Sequence, residues 1–331
     1  MKKIIISSLV MVMAIAGKGQ KISNEAKSTM HLFRETSPFS LNDERISLLK
    51  KIQTYSDSLS YLTFNKYLKS PEQTSVSMEN AFPILYCYRN AFDCIIDEVK
   101  NTKVEKGTVV IWMLYNMGIV VKTTSGCFGI DINHRWAEKF EPYLDFLCVT
   151  HNHEDHKSIE LMQAMNRKGK PVLSNFFKED NKYYSTTPAN YKIGKFSIRT
   201  DMTDHNAKLL NFISVFRIDC GKDAGNFSIL HCGDSNFNPM QFTHVQGLVN
   251  LAILRFGAKE ENNILGTGDG LVKPDYAVLS HIIELRHRIN ESPHRASINQ
   301  TLDRIPQMKY EHTILPFWGE KLIWKNGKLY K

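Results

Sequence analysis

The sequence predicts an α/β protein with a helical N-terminal part and a strand-rich remainder that carries a metal site. Apolar residues recur at spacings of three and four between residues 17 and 105, which is typical of helices. From Gly107 onward they form short runs separated by turn residues, which is typical of strands. Between a buried strand and a helix lies Thr150–His156, where four metal-capable side chains have the spacing His-x-His-x-Asp-His.

Length and composition set broad limits. The 331 residues are 42% hydrophobic, enough for one large domain or two smaller ones. The net charge is +8, but Lys and Arg are scattered, so nucleic acid is not specifically indicated as a partner. The six cysteines contain no Cys-x-x-Cys pair, which argues against a zinc ribbon or a thioredoxin-like site and leaves any disulfide pairing open.

The first residues predict export. Lys2 and Lys3 precede an apolar run that ends in the small-x-small sequence Ala14-Ile15-Ala16. We therefore expect a signal peptide over residues 1–16 and a periplasmic or secreted protein. The alternative is an N-terminal anchor helix, but the run is short for a membrane span. No stable membrane span is expected after cleavage.

Residues 17–105 are expected to form a helical extension. An amphipathic helix is predicted over Ile46–Leu62, with N-cap candidates at Ser40–Asp43. A polar break follows at Ser70–Ser75, and a second helix is predicted from Phe82, with Pro83 in its first turn. We expect these helices to pack on the rest of the protein; the alternative is a lid or a dimerisation arm.

Residues 106–331 are expected to form the second domain. A helix is predicted over Ser158–Met165, and Asn326-Gly327 predicts a terminal hairpin. The glycine-rich stretch Gly266–Gly270 lacks the Gly-Lys-Ser/Thr of a phosphate loop and predicts a flexible loop. The other strands are predicted at 108–115, 118–123, 127–132, 143–149, 171–174, 192–199, 210–218, 227–230, 249–254 and 273–280.

The His-rich turn carries the chemistry. His151 and His153 can reach one cation, while Asp155 and His156 can hold a second. Imidazole with carboxylate suits zinc first, with iron or manganese as alternatives. The alternative of a polar surface turn fits poorly with three His and an Asp in this order directly after an apolar run.

At this turn the chain resembles the metallo-β-lactamase-fold hydrolases, whose signature is the same His-x-His-x-Asp-His spacing. The resemblance implies a four-layer αββα sandwich of two sheets with helices outside. Tyr115–Val120 and Lys273-Pro274 look most like the lactonase-like branch, which includes ascorbate-phosphate lactonase and the N-acyl-ethanolamine phospholipases.

The resemblance also implies roles for residues at strand ends. Asp131 would support the metal turn, His205 would supply a third histidine, Asp234 would bridge two ions and His281 would be the last ligand. The implied ligands are His151, His153, His205 and Asp234 for the first ion, and Asp155, His156, Asp234 and His281 for the second. His231 is interpreted as a core histidine or a support for the ligands, and Cys232 as a buried thiol.

The implied reaction is hydrolysis of an ester, lactone, amide or phosphodiester by a metal-bound hydroxide, with two divalent ions, zinc first. Asp155 is the candidate catalytic residue, which would orient the hydroxide or take a proton. The expected partner is a small-molecule or lipid-like substrate, without nucleic acid. Arg286 and Arg288 lie in a basic stretch that could face an anionic substrate. The alternatives are an iron-dependent oxidoreductase on the same fold and a non-catalytic binding protein.

Overall fold

Two β-sheets face each other and helices cover their outer faces. This is the arrangement of the computed structural model, which describes residues 24–180, 182–256, 272–289, 294–308 and 312–331. The expected four-layer αββα sandwich with N-terminal helices is confirmed. The predicted signal peptide and the Gly266–Gly270 loop lie outside the described residues.

Most of the helices precede the first strand. Residues 24–35 are helical (α1). Asn42 caps the next helix by accepting from Arg45 N at 3.0 Å, and Ser60 caps the one after it. The other α-helices are α2 (Asp43–Asp57), α3 (Tyr61–Leu68), α4 (Glu72–Ala81), α5 (Pro83–Asn101), α6 (Ile159–Arg167) and α7 (Ile298–Arg304).

Each sheet has seven strands. In the first sheet the order is β14-β13-β1-β2-β3-β4-β5, and in the second it is β12-β11-β10-β9-β8-β7-β6. The strands are β1 (Thr108–Met113), β2 (Ile119–Thr123), β3 (Gly126–Ile130), β4 (Phe146–Cys148), β5 (Val172–Leu173), β6 (Ala189–Ile193), β7 (Phe196–Thr203), β8 (Ile213–Asp219), β9 (Ser228–His231), β10 (Gly247–Arg255), β11 (Val272–Ser280), β12 (His312–Ile314), β13 (Lys321–Lys325) and β14 (Lys328–Tyr330).

Strand β1 shows how the layers form. Val109 and Ile111 point into the core between the sheets, whereas Val110 and Trp112 point to the outer face, which α5 and α6 cover. Because successive side chains of a strand alternate, a strand that is apolar on both faces must be covered on both. This explains the continuous apolar runs of the sequence.

Helices α1, α2, α3 and the first half of α5 pack on the outer face of the second sheet and share its apolar core. Three arginines, two of them buried, join the helices to the sandwich. Arg45 of α2 forms a bidentate ion pair with Glu320, at 3.0 and 2.7 Å. Arg295 donates to Ser56 O, at 2.8 Å, and the half-buried Arg135 donates to carbonyl groups at the end of α3 and just after it.

Three predicted elements were wrong in detail. The helix expected over Ile46–Leu62 is two helices, because Ser60 accepts a hydrogen bond from Thr63 N and starts α3. Within the expected break at Ser70–Ser75, α4 begins directly after Pro71. The single strand expected over 192–199 is a hairpin of β6 and β7, which turns at Gly194 with φ +53°.

No helix in the described part of the chain combines the length and the apolar character that a membrane span requires.

Candidate metal centre

The seven predicted site residues all lie at the ends of strands. Between β4 and α6 runs the turn with His151, His153, Asp155 and His156, and Ser158 caps α6 by accepting from Leu161 N at 3.3 Å. The other three residues follow β7, β9 and β11; they are His205, Asp234 and His281. The structure brings all seven together, in two groups whose nitrogen and oxygen atoms lie within 4.8 Å of one another inside each group.

The first group consists of His151, His153 and His205. His151 Nε2 lies 3.0 Å from His153 Nδ1. Burial, together with neighbouring His156, keeps the pKa of His151 well below its ordinary value, and burial together with His205 lowers the pKa of His153 to about 4. The imidazoles of His151 and His153 are therefore neutral near pH 7, the form that binds a metal ion.

The second group consists of Asp155, His156, Asp234 and His281, all of them buried. Asp155 Oδ2 lies 3.1 Å from His281 Nε2 and 3.3 Å from His156 Nε2. Burial opposes ionisation of both carboxyl groups, but the imidazoles of His156 and His281 hold the pKa values of Asp155 and Asp234 well below the usual range. Against the effect of burial, the same two carboxylates raise the pKa of His156 well above its ordinary value, so that a proton on His156 and a metal ion would compete for this group.

Asp234 lies between the two groups. Its Oδ2 is 3.5 Å from His205 Nε2 and 3.4 Å from His281 Nε2, and its Oδ1 is 3.3 Å from His156 Nε2. One carboxylate thus faces histidines of both groups, which is the position of a ligand shared by two ions.

Asp131 holds the metal turn in place through hydrogen bonds. It accepts hydrogen bonds from Thr150 N at 2.8 Å, from Thr150 Oγ1 at 2.7 Å and from His156 Nδ1 at 2.8 Å. Because Nδ1 of His156 donates, its Nε2 is left to accept or to bind a cation. His151 is held in the same way, since its Nδ1 donates to Thr150 Oγ1 at 3.0 Å. The role expected for Asp131 matches these contacts.

Two asparagines that the sequence did not single out also hold the turn. Asn116 Nδ2 donates to the backbone oxygen and to Oδ2 of Asp155, each at 3.1 Å. Asn133 Nδ2 donates to the carbonyl groups of Glu154 and Lys157, at 2.7 and 2.5 Å. No periodicity or spacing marks either residue, because their partners lie on a different segment of the chain.

The backbone around the site is strained. Asn116, Asp131 and His281 have φ of +59°, +49° and +60°, a region that side chains other than glycine rarely adopt. Gly233, next to Asp234, has φ +49°, and a Cβ there would stand 2.8 Å from the Thr150 side chain. The candidate ligands are therefore held by backbone conformations that are unfavourable for residues other than glycine.

The donor set fits a pair of cations. Buried polar atoms are normally hydrogen-bonded, yet Asp234 Oδ1, His281 Nδ1 and Asn116 Oδ1 have no hydrogen-bond partner within the described part of the chain. In addition, the neutral, Nδ1-protonated form of His156 would direct its Nε2 lone pair at two carboxylate oxygens, both at 3.3 Å. Such an arrangement needs a positive charge between these atoms, which a proton on His156 supplies in the metal-free protein and a cation would supply in its place.

Other histidines and cysteines lie outside the two groups. His231 is fully buried and its Nε2 lies 2.9 Å from Met117 O. His287 and His294 stack on each other, at 5.1 Å between ring centroids. All six cysteines are free, and burial raises the pKa of the Cys232 thiol, as suits an inert buried thiol.

No family model matches this sequence, and no curated protein matches it. Several solved structures are similar to this chain in fold. Igni18, a metallo hydrolase from Ignicoccus hospitalis, is 18% identical with a TM-score of 0.46, over 66% of this chain and 99% of that one. YhfI, a metallo-β-lactamase fold protein from Bacillus subtilis, is 12% identical with a TM-score of 0.44, over 66% and 100%. CmlA, a diiron β-hydroxylase from Streptomyces venezuelae, is 11% identical with a TM-score of 0.44, over 68% and 55%. At such identities the chemistry of this chain rests on its own side chains.

Proposed function

We propose that this chain is an exported hydrolase with two divalent metal ions, zinc first, that cleaves an ester, lactone, amide or phosphodiester. The observation that carries the proposal is the position of the Asp234 carboxylate, which faces histidines of both groups and has one oxygen atom without a hydrogen-bond partner among the described residues. We further propose the lactonase-like branch as its nearest relatives, on the resemblance of Tyr115–Val120, and a small-molecule or lipid-like substrate.

The proposed ligands follow from the geometry. His151, His153 and His205 would hold the first ion, and Asp155, His156 and His281 the second, with Asp234 shared. When bound, such a pair of ions supplies a water of lowered pKa and polarises the oxygen under attack. Histidine and carboxylate ligands of this kind also accept iron or manganese.

The protein's own residues would orient the reacting groups. Asn116 fixes the Asp155 carboxylate through a hydrogen bond of 3.1 Å, so that one oxygen stays near His156 and His281. From this position Asp155 would orient the attacking water or receive its proton. Phe212 lies 5.0 Å from the His153 ring and 6.3 Å from the His205 ring, and would form an apolar wall that limits water on this side.

Metal analysis tests the proposal directly. The purified protein should contain close to two metal equivalents, and a chelator should abolish cleavage of whichever lactone, ester, thioester or phosphodiester a screen identifies. Restoring each metal separately, with zinc, manganese and iron, identifies the ion and distinguishes a hydrolase from an iron oxidoreductase. A metal-free protein that hydrolyses at the full rate would overturn the proposal.

Export is proposed from the first sixteen residues of the sequence. Expression in a Gram-negative host, followed by mass spectrometry of the intact protein, should show the mass that starts after Ala16 and enrichment in the periplasmic fraction. A cytoplasmic protein that keeps Met1 through Ala16 would contradict it.

A further inference from the structure

A polar cavity of about 280 Å³ opens where the helical part meets the metal turn. Its walls come from the end of α3, from the loop after β3, from the metal turn with the start of α6, and from the loop that follows His281. The volume lies just below the range of about 300–1,000 Å³ that is typical of sites for drug-sized ligands, so it suits a small ligand or one group of a larger one.

The charges on the cavity walls do not balance. Four cationic side chains and two carboxylates line it, and they are Lys69, Arg135, Lys157, Arg286, Glu154 and Glu160. Lys157 pairs with Glu154 at 2.7 Å, and Arg135 donates to carbonyl groups. Within the described residues, Lys69 and Arg286 have no carboxylate within ion-pair distance, and the Arg286 side chain donates only to Asn133 Oδ1, at 3.5 Å. Two positive charges of the described residues thus face the cavity without a carboxylate partner, against one carboxylate, that of Glu160, which accepts from Ser158 Oγ at 3.1 Å and has no cation within ion-pair distance.

Two buried nitrogen atoms of the cavity walls also lack an acceptor. Arg286 Nε and His134 Nε2 have no hydrogen-bond partner in the described part of the chain. His134 is 6% exposed and its Nδ1 accepts from Trp136 N at 3.3 Å, so the proton of the neutral ring is on Nε2. Burial keeps the pKa of His134 well below its ordinary value, which maintains that neutral form. These two buried atoms of the described residues are both nitrogens, and neither is itself exposed to the cavity.

We propose that this cavity binds an oxyanion group, a carboxylate or a phosphate, of the substrate, with Arg286 and Lys69 as its cationic contacts. A guanidinium that is free of other ion pairs suits such a group well, since its donors match two oxygens at once. The cavity is connected to the candidate metal centre through the chain. Glu154 lies between His153 and Asp155 in the sequence, and Arg286 lies five residues after His281. The assignment to the substrate rests on the proposed hydrolase function, whereas oxyanion binding does not.

Binding is measured first on metal-free protein, because an anion would also bind to the metal ions. Succinate is titrated by calorimetry, with succinamide as its neutral match. We expect saturable binding of succinate alone, weakened at least tenfold in Arg286→Gln, as for loss of a hydrogen bond to a charged group, and less in Lys69→Gln, whose side chain is exposed. Arg167→Gln, an exposed arginine at the end of α6, is the matched control.

The outcomes separate clearly. Absence of succinate binding to the parent protein, or equal affinity in parent and Arg286→Gln, overturns the oxyanion site. The melting temperature of each variant shows that the comparison is between folded proteins.

A second measurement assigns the oxyanion to the substrate. The metal-loaded enzyme is given two matched esters, 4-nitrophenyl acetate and 4-nitrophenyl hydrogen succinate, or the neutral and anionic members of whichever pair the substrate screen identifies. Arg286→Gln should lower the ratio of kcat/KM for the anionic member over the neutral one at least tenfold. An unchanged ratio overturns the assignment. If no substrate is cleaved although succinate binding and its loss in Arg286→Gln are observed, the hydrolase proposal fails and the oxyanion site remains.

Discussion

Two regions of this molecule contain buried charged side chains, and these side chains differ in their hydrogen-bond partners. At the junction of α2 with the sandwich, the fully buried Arg45 donates to Glu320, Leu315 O and Thr36 Oγ1, at 2.6 to 3.0 Å, and only its Nε is left over. In the candidate metal centre, the buried Asp234 and His281 each keep one atom without a hydrogen-bond partner in the described part of the chain, and their facing oxygen and nitrogen atoms lie 3.4 Å apart rather than at the 2.6 to 3.0 Å of the Arg45 contacts.

The difference indicates what each region is for. A buried ion pair that is matched on both sides joins two segments, and its removal leaves a charge without a partner. A buried cluster that is unmatched and held by strained backbone is unfavourable unless something positive joins it. The junction therefore acts in stability, and the cluster acts in binding. The predictions below separate the two, beginning with the largest effect.

Loss of the shared carboxylate should affect both ions. Asp234→Ala removes a carboxylate that faces histidines of both groups, so we expect loss of both metal equivalents and a fall in kcat/KM beyond the roughly 10–100-fold typical of residues that only support ligands. Elemental analysis and kinetics measure it. Asp201→Asn is the matched control, because Asp201 is a buried carboxylate outside both groups that accepts from His244 N and Val245 N. Retention of two metal equivalents by Asp234→Ala would show that Asp234 is not a ligand.

Loss of the junction arginine should affect stability alone. Arg45→Met leaves Glu320 buried without its partner, and we expect the free energy of unfolding to fall by about 3–5 kcal/mol while metal content is kept. Denaturant unfolding measures it. Lys51→Met, on the same helix, breaks an ion pair whose side chains are 42% and 50% exposed, and should cost about 0–1 kcal/mol. Equal losses in the two variants would remove the distinction between the regions.

Single histidines should separate the two groups. His205→Ala should lower occupancy of the first ion and His281→Ala that of the second, each leaving about one equivalent of metal, with the fold intact because both residues follow strand ends. His231→Ala should keep both ions and cost roughly 1–3 kcal/mol of stability, since its partner Met117 O would lose a buried hydrogen bond. Elemental analysis and thermal unfolding of the three variants test this. If His231→Ala sheds an ion while His205→Ala keeps both, the third histidine comes from β9.

The sequence predicted the metal turn because its side chains are contiguous. Nearest neighbours in the chain cannot move apart, so the spacing of His151 through His156 already limits their geometry. His205, Asp234 and His281 were expected from a resemblance, at the ends of strands, and the sheet order brings those ends together. Arg45 and Glu320 are 275 residues apart, and no local pattern in either segment indicates the pair.

Local structure was predictable where the pattern was long. The nineteen-residue α5 was found from its periodicity and Pro83, whereas β12, with three residues, has too few positions to show alternation. The hairpin of β6 and β7 was missed because β6 is short, although the apolar positions change phase from Tyr191 and Ile193 to Phe196 and Ile198 across Gly194. Asn116 and Asn133 were missed because hydrogen bonding to a distant turn leaves no signature in the sequence.

The smallest expected effect concerns His134, which lies between the two regions and stacks on Phe92 and Tyr88, at 3.7 and 4.2 Å between centroids. Burial first, and then Arg89 and Arg135, keep the pKa of His134 well below its ordinary value in the folded protein. In the unfolded chain it takes up a proton near pH 6.5. The unfolded state therefore binds more protons below that pH, and this part of the stability is lost as the pH falls.

We expect the His134→Phe variant, which keeps an aromatic ring in the stack, to reduce this loss. On metal-free protein, the free energy of unfolding should fall less steeply between pH 6 and 5 than in the parent, by about 1.4 kcal/mol per pH unit for the one proton removed. Denaturant unfolding at several pH values measures both slopes. Parallel curves would mean that His134 is protonated in the folded state as readily as in the unfolded one.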